Sequence, residues 1–273
     1  MKRLLIPIAL CAALSLQAQT RQEFKERYDR QVSGVGTAGV GVEYILDRWA
    51  ETFPEDCDML DGRFNYYYAK SRSTEVKEVK ARKYLGKAPV FSLKDSLGRD
   101  VNYFYVPVFD DSLFRLAQKS ADKAIALEPA RLITRLNKIS SLIDYEKDSP
   151  DMGATMLLDL IDCTISGKFA WKFNGSPVSK DDFGDAVHAI TVTLYGIGSA
   201  NAYEAFRLVS EKMIKYDKKN SLFHDNIGAY WLVAREDYKK AGKAYEKALK
   251  LNPDDEIAKA NMKLIEKLKN NGK

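Results

Sequence analysis

Apolar residues recur every three to four positions along most of this chain, the spacing that gives a helix one buried stripe. Residues 42–53 place Val42, Ile45, Leu46 and Trp49 on one side, and Pro54 ends the segment. Residues 57–70 return with Leu60, Phe64, Tyr67 and Tyr68, which predicts a first helical pair. Upstream, residues 20–30 are charged and predict a short helix or a loose arm, followed by a glycine-rich joint at 34–41. Residues 110–127 predict a helix with Leu113, Leu116, Ala117, Ala124 and Leu127 facing inward. Two further pairs follow at 131–146 with 152–165, and at 183–195 with 200–216. Asp148-Ser149-Pro150-Asp151 and Gly196-Ile197-Gly198 supply their turns. Ser179 with Asp182 three residues on predicts a capping box.

The period changes in the middle of the chain. Residues 88–94 and 101–108 are rich in Val, Phe and Tyr, and Asp95-Ser96-Leu97-Gly98-Arg99 separates them. This predicts a β-hairpin, with the glycine suited to positive φ. Residues 71–82 are charged and predict a connector or a solvated helix. A second break, 166–180, is a long loop holding Trp171 and Phe173 among glycines.

The C-terminal segment 220–268 carries a spaced set of small and aromatic residues: Ile227-Gly228, Trp231, Ala241, Tyr245, Ala248 and Pro253. Ala117, Ala121, Ala124 and Pro129 repeat the second half of that spacing. The pattern resembles the tetratricopeptide repeat, in which small residues let paired helices approach and aromatics fill the space between them. One residue more than the family pattern separates Trp231 from Ala241, so the first helix or the turn after it is irregular. The resemblance implies an all-α solenoid of about four helix pairs with an inserted β-hairpin and a closing helix. It also implies a non-catalytic scaffold that holds a protein or peptide on the first helix of each pair, with Asn226 and Tyr230 as groove contacts. The chain is organised as residues 1–18, 19–71, 72–109 and 110–270: leader, arm with first pair, connector with hairpin, and repeats.

Residues 1–18 resemble a secretory signal peptide: Lys2 and Arg3, then an uncharged apolar run to Leu16, then Ala18. The run is shorter than the roughly 20 apolar residues of a membrane span. Its removal lowers the formal charge from +5 to +3. The implied place is the periplasm or outer membrane, as in exported repeat proteins of the Bacteroidetes type, and no nucleic acid is expected as partner. Cys57 and Cys163 remain after cleavage. In an oxidising compartment they pair or stay as buried thiols.

Candidate chemistry is sparse. Gly34, Gly36 and Gly39 match a dinucleotide fingerprint by letter, but no strand precedes them, so no cofactor is expected. Asp56, Asp58 and Asp61 suggest a calcium loop only loosely and suit a helix start better. His188 and His224 have no ligand at zinc spacing, so no metal is expected. Asp-Ser-Leu at 95–97 and 111–113 resembles an O-glycosylation acceptor. Tyr66-Tyr67-Tyr68 cannot all face inward on one helix. Exposed aromatics at Trp171, Phe173 and Tyr103 define a second expectation, a surface or periplasmic module binding a glycan or small ligand.

Overall fold

A computed structural model describes residues 19–271. The expected leader, 1–18, lies outside them. Eleven helices and five short strands are present among the described residues. α1 (Arg21–Val35) opens on a Thr20–Glu23 capping box, and α2 (Val42–Thr52) and α3 (Cys57–Ser71) follow. α1 runs into the glycine cluster and ends at Val35, and Gly36 and Gly41 adopt φ of 82°, so the glycines after it serve as a joint between helices. α4 (Asp111–Leu127) and α5 (Leu132–Glu146) come next, then α6 (Asp151–Ile165). α7 (Lys180–Ile197) begins with the expected Ser179–Asp182 capping box, and α8 (Ala200–Tyr216) follows. α9 (Ser221–Ala229) runs into a π-helical turn, Tyr230–Ala234. α10 (Tyr238–Leu251) and α11 (Glu256–Asn271) close the chain.

The principal helix contacts join elements one or two apart in chain order: α3 with α4, α5 with α6, α7 with α8, α9 with α10, and α6 with α8. The core is correspondingly segmented. One cluster holds Phe24, Leu46, Trp49 and Met59, from α1 to α3. A larger one runs from Leu132 through Trp171 and Phe206 to Tyr230. A third joins Leu232, Tyr245, Ala258 and Ile265. Gly228 sits under the Tyr245 ring, where a Cβ would meet ring carbons at 2.6–2.8 Å. That close approach is what the small residue at 228 permits.

The π turn accounts for the extra residue between Trp231 and Ala241. A π turn bonds i to i+5 and so takes up one residue without breaking the helix.

The sheet departs from expectation in one respect. β2 (Phe91–Lys94) and β3 (Asp100–Phe109) form the hairpin, with Phe91 opposite Tyr103 and Leu93 opposite Val101. The charged segment before them is also a strand, β1 (Arg72–Glu78), antiparallel to β3 with Val76 opposite Tyr105. The sheet order is β1-β3-β2. Phe104 and Val106 are buried beneath it, while Val76, Phe91, Leu93 and Tyr105 on the alternate positions stand exposed. Residues 79–90 fold back until Gly86, φ 73°, abuts the Gly196 carbonyl at the end of α7. β4 (Lys172–Phe173) and β5 (Ser176–Pro177) make a small hairpin in the 166–180 loop.

Candidate functional site

Helices α1, α3 and α5, with Trp49 of α2, the α4–α5 connection and the β4–β5 turn, line a trough of 650 Å³. Its floor is built from paired charges. The Arg131 guanidinium donates through Nε to Asp61 Oδ2 at 2.8 Å and through Nη2 to Asp58, with Glu128 at 3.4 Å. Thr134 donates to the other Asp61 oxygen at 2.6 Å. Arg21 donates to Asp56 Oδ2 at 2.7 Å, and Trp49 Nε1 shares that oxygen at 3.0 Å. Asp56 also caps α3 by accepting from the Asp58 amide at 2.9 Å. The aspartates expected only to start a helix therefore also tie α3 to α1 and to α5.

Burial raises the Asp61 carboxyl above its ordinary value, and Thr134 and Arg131 pull it back in part. Burial alone would lower Arg131; Asp61 and Asp58 outweigh it and hold the guanidinium charged. Tyr28 in the trough wall is pushed up to about 12, chiefly by burial. Asn65, Asn137 and Asn174 complete the lining with carboxamides, and no Ser, Cys or His is among the lining residues. The trough shares Glu128, Arg131 and Asn174 with a second hollow beside Lys172. It shares Asn65 with a third beside Tyr68 and Arg72. Such a surface can hold an elongated polar segment.

The residues expected to bind lie elsewhere, and most are buried. Tyr230 is 1% exposed; its hydroxyl donates to Glu204 at 2.5 Å and accepts from Arg235 at 2.7 Å. Asn226 is buried too, and its Nδ2 has no hydrogen-bond partner among the described residues. Neither reaches the trough, so both expectations of groove contact are corrected. The cause is the inward face of α9, which packs against α8 and α10.

Trp171 is likewise a core residue. Its Nε1 donates to Thr164 Oγ1 at 2.8 Å, its ring lies 5.1 Å from Phe169, and it cannot serve as an exposed stacking platform. Phe173 alone of the four is exposed, on β4. Cys57 and Cys163 are free thiols. Cys57 is buried among α1–α4 residues, with Sγ 3.7 Å from the Ala124 carbonyl, and burial pushes its thiol up to about 12. Cys163 packs against the separate α5–α9 cluster, so no bridge joins them.

The three tyrosines divide as helix geometry requires. Tyr66 donates to Glu43 at 2.8 Å, Tyr68 donates to Asp144 at 2.7 Å, and Tyr67 stacks edge-on against Tyr66. Ser96 is exposed in the β2–β3 turn, and Ser112 is exposed in the first turn of α4. Sequence reasoning missed Arg131 and Arg21 as site residues. The available signal was Asp58 and Asp61 at helical spacing, which puts two carboxylates on one face awaiting a cation.

No protein-family model matches the chain, and no curated protein matches it. The fold and the trough define a predominantly helical protein with a small antiparallel sheet, carrying a polar cleft between alternate helices. No helix among the described residues is long and apolar enough to cross a membrane.

Proposed function

We propose that the protein is an exported, non-catalytic scaffold of the tetratricopeptide-repeat kind, holding a protein or peptide segment in the trough between α1, α3 and α5. The observation that carries this reading is the lining of that trough chiefly by α1, α3 and α5. α3 packs mainly on α4 rather than, as expected from the sequence, on α2, which makes these the first helices of their pairs. In such repeats the first helix of each pair faces the partner. Packing between chain neighbours and the Gly228–Tyr245 contact support it. Preformed helix faces lose little ordering entropy on association, which suits capture of an extended segment. The trough's paired charges and carboxamides suit polar recognition.

A photo-crosslinker placed at Asn137 in the native envelope tests the proposal. It should trap a defined protein partner, and Gln22→Arg with Asn65→Arg, two other residues lining the same trough, should abolish the trapped species. Unchanged crosslinking by that double variant, or turnover of a compound by the purified chain, would sink the idea.

A further inference from the structure

The β2–β3 hairpin presents a second surface, independent of the trough. Its tip is a built turn. Asp95 Oδ1 accepts from the amides of Leu97 and Arg99, both at 2.9 Å, and its Oδ2 accepts from Arg99 Nε at 2.7 Å. Gly98 supplies φ of 75°. This fixed turn holds Leu97 outward at 73% exposure, and Leu93 on the adjoining strand is 54% exposed. Phe91 stacks on Tyr103 at 4.7 Å between ring centres and continues the apolar face, with 45% exposure. Aliphatic side chains on a projecting turn face no opposing wall, and exposed apolar patches of this kind mark contact sites.

The same insertion is strongly basic. Residues 72–100 contain eight Lys and Arg against Glu75, Glu78, Asp95 and Asp100. Asp95 is engaged by Arg99, and Asp100 pairs with Lys94 at 2.7 Å. Lys80, Arg82, Lys83 and Lys87 are exposed and form no ion pair among the described residues. Lys80 and Arg82 border one hollow together with Glu78, Asp95, Arg99 and Asp100, which places two cations without ion-pair partners among the described residues beside the tip.

We propose that this hairpin docks the protein on an anionic lipid bilayer, with Leu93 and Leu97 entering the headgroup–acyl boundary and Lys80 and Arg82 meeting lipid phosphates. A soft apolar layer beneath a negative surface matches a projecting aliphatic tip with cations at its base. An anionic bilayer presents an apolar layer directly beneath a negative surface, and so meets Leu93 and Leu97 together with the cations. The contact is peripheral, because a few side chains supply weak anchoring and each basic residue near the surface adds about fivefold in partition.

Flotation of the full chain with vesicles tests this, comparing phosphatidylcholine alone with phosphatidylcholine containing phosphatidylglycerol. Retention should require the anionic lipid and fall steeply as salt rises. Lys80→Glu with Arg82→Glu should reduce partition at least roughly tenfold. Leu93→Ser with Leu97→Ser should reduce it as well, with helical circular dichroism unchanged. In Leu97→Trp, tryptophan emission should shift blue on anionic vesicles and be quenched by brominated acyl chains. The proposal is overturned by absence of vesicle binding, by equal binding to both compositions, or by a Leu97→Trp signal that stays unquenched. Retention on immobilised polyglutamate without vesicle binding would assign the cations to an acidic protein instead.

Discussion

Single side chains decide how firmly the trough is fixed. Arg131 has a side chain only 11% exposed, and it is the common partner of Asp58 and Asp61. Removing it leaves Asp61 with only the Thr134 hydroxyl and Asp58 with only Arg21 at 3.4 Å, a loss that costs more than the intact pair contributes. Arg131→Ala should lower stability by about 3 kcal/mol. The urea midpoint should move while the slope holds. Arg131→Lys should recover only part, since one ammonium cannot fork to two carboxylates.

Asp225 on α9 is a different case. Burial, with Asp255 adding to it, raises its carboxyl from 3.8 to about 7, and its Oδ1 has no hydrogen-bond partner among the described residues. The folded chain therefore keeps a proton that the unfolded chain releases between those values. Stability contributed by this group is present below pH 4 and is lost as pH rises through about 7. Asp225→Asn should flatten that part of the melting-temperature profile and raise the melting temperature at pH 8 by roughly 2–4 °C. A profile identical to wild type would refute the assignment.

At this scale the sequence was least legible. Asp58 and Asp61 could be seen to share a helix face, but their cation lies some seventy residues away, at a distance no local pattern reports. Asn226 and Tyr230 were placed on a groove by analogy of position, whereas their burial is set by α8 and α10 closing on them.

Elements were more readable, because each helix carries its own apolar period. The boundaries of α2, α3, α5 and α6 fall within a residue of the periodic segments. Phase was harder. In α4, Leu116 and Leu127 are exposed, while Phe114 and Ala121 take the inward positions. Two overlapping stripes existed in that segment, and the neighbours α3 and α5 selected the narrower, alanine-rich one. β1 was missed because Arg72–Glu78 has no alternation to betray it; only pairing along β3 makes it a strand. The 166–180 loop was recognised, yet its Trp171 was read as exposed because nothing local announces Thr164 as its partner.

Packing at the C-terminal pair gives a sharp test of an element-scale contact. Gly228→Ala would drive a methyl into a fully buried Tyr245 ring. Overpacking of this kind costs about 1–3 kcal/mol. Chemical denaturation should show that loss, and Gly242→Ala, where a Cβ meets nothing within 4 Å, should show none of it.

Over the whole molecule, the core divides into separate clusters, the largest shared by α5 to the π turn, so the loss of one end should be felt first within its own cluster. Ending the chain before α11 would uncover Leu232, Tyr245 and Ala248, its packing partners. Hydrogen exchange should then quicken in α9 and α10 and stay unchanged in α1 to α6; loss of protection throughout would show a single cooperative unit. The class of fold was therefore visible from period alone, while the insertion that interrupts it was visible only as a change of period.

Contacts concentrated between elements close in the chain also govern how the protein would bear load. Pulled from its two ends, the chain would load separate bodies of core in turn. It would pay out slack cluster by cluster, in a short train of force peaks, and rewind in the same steps when released.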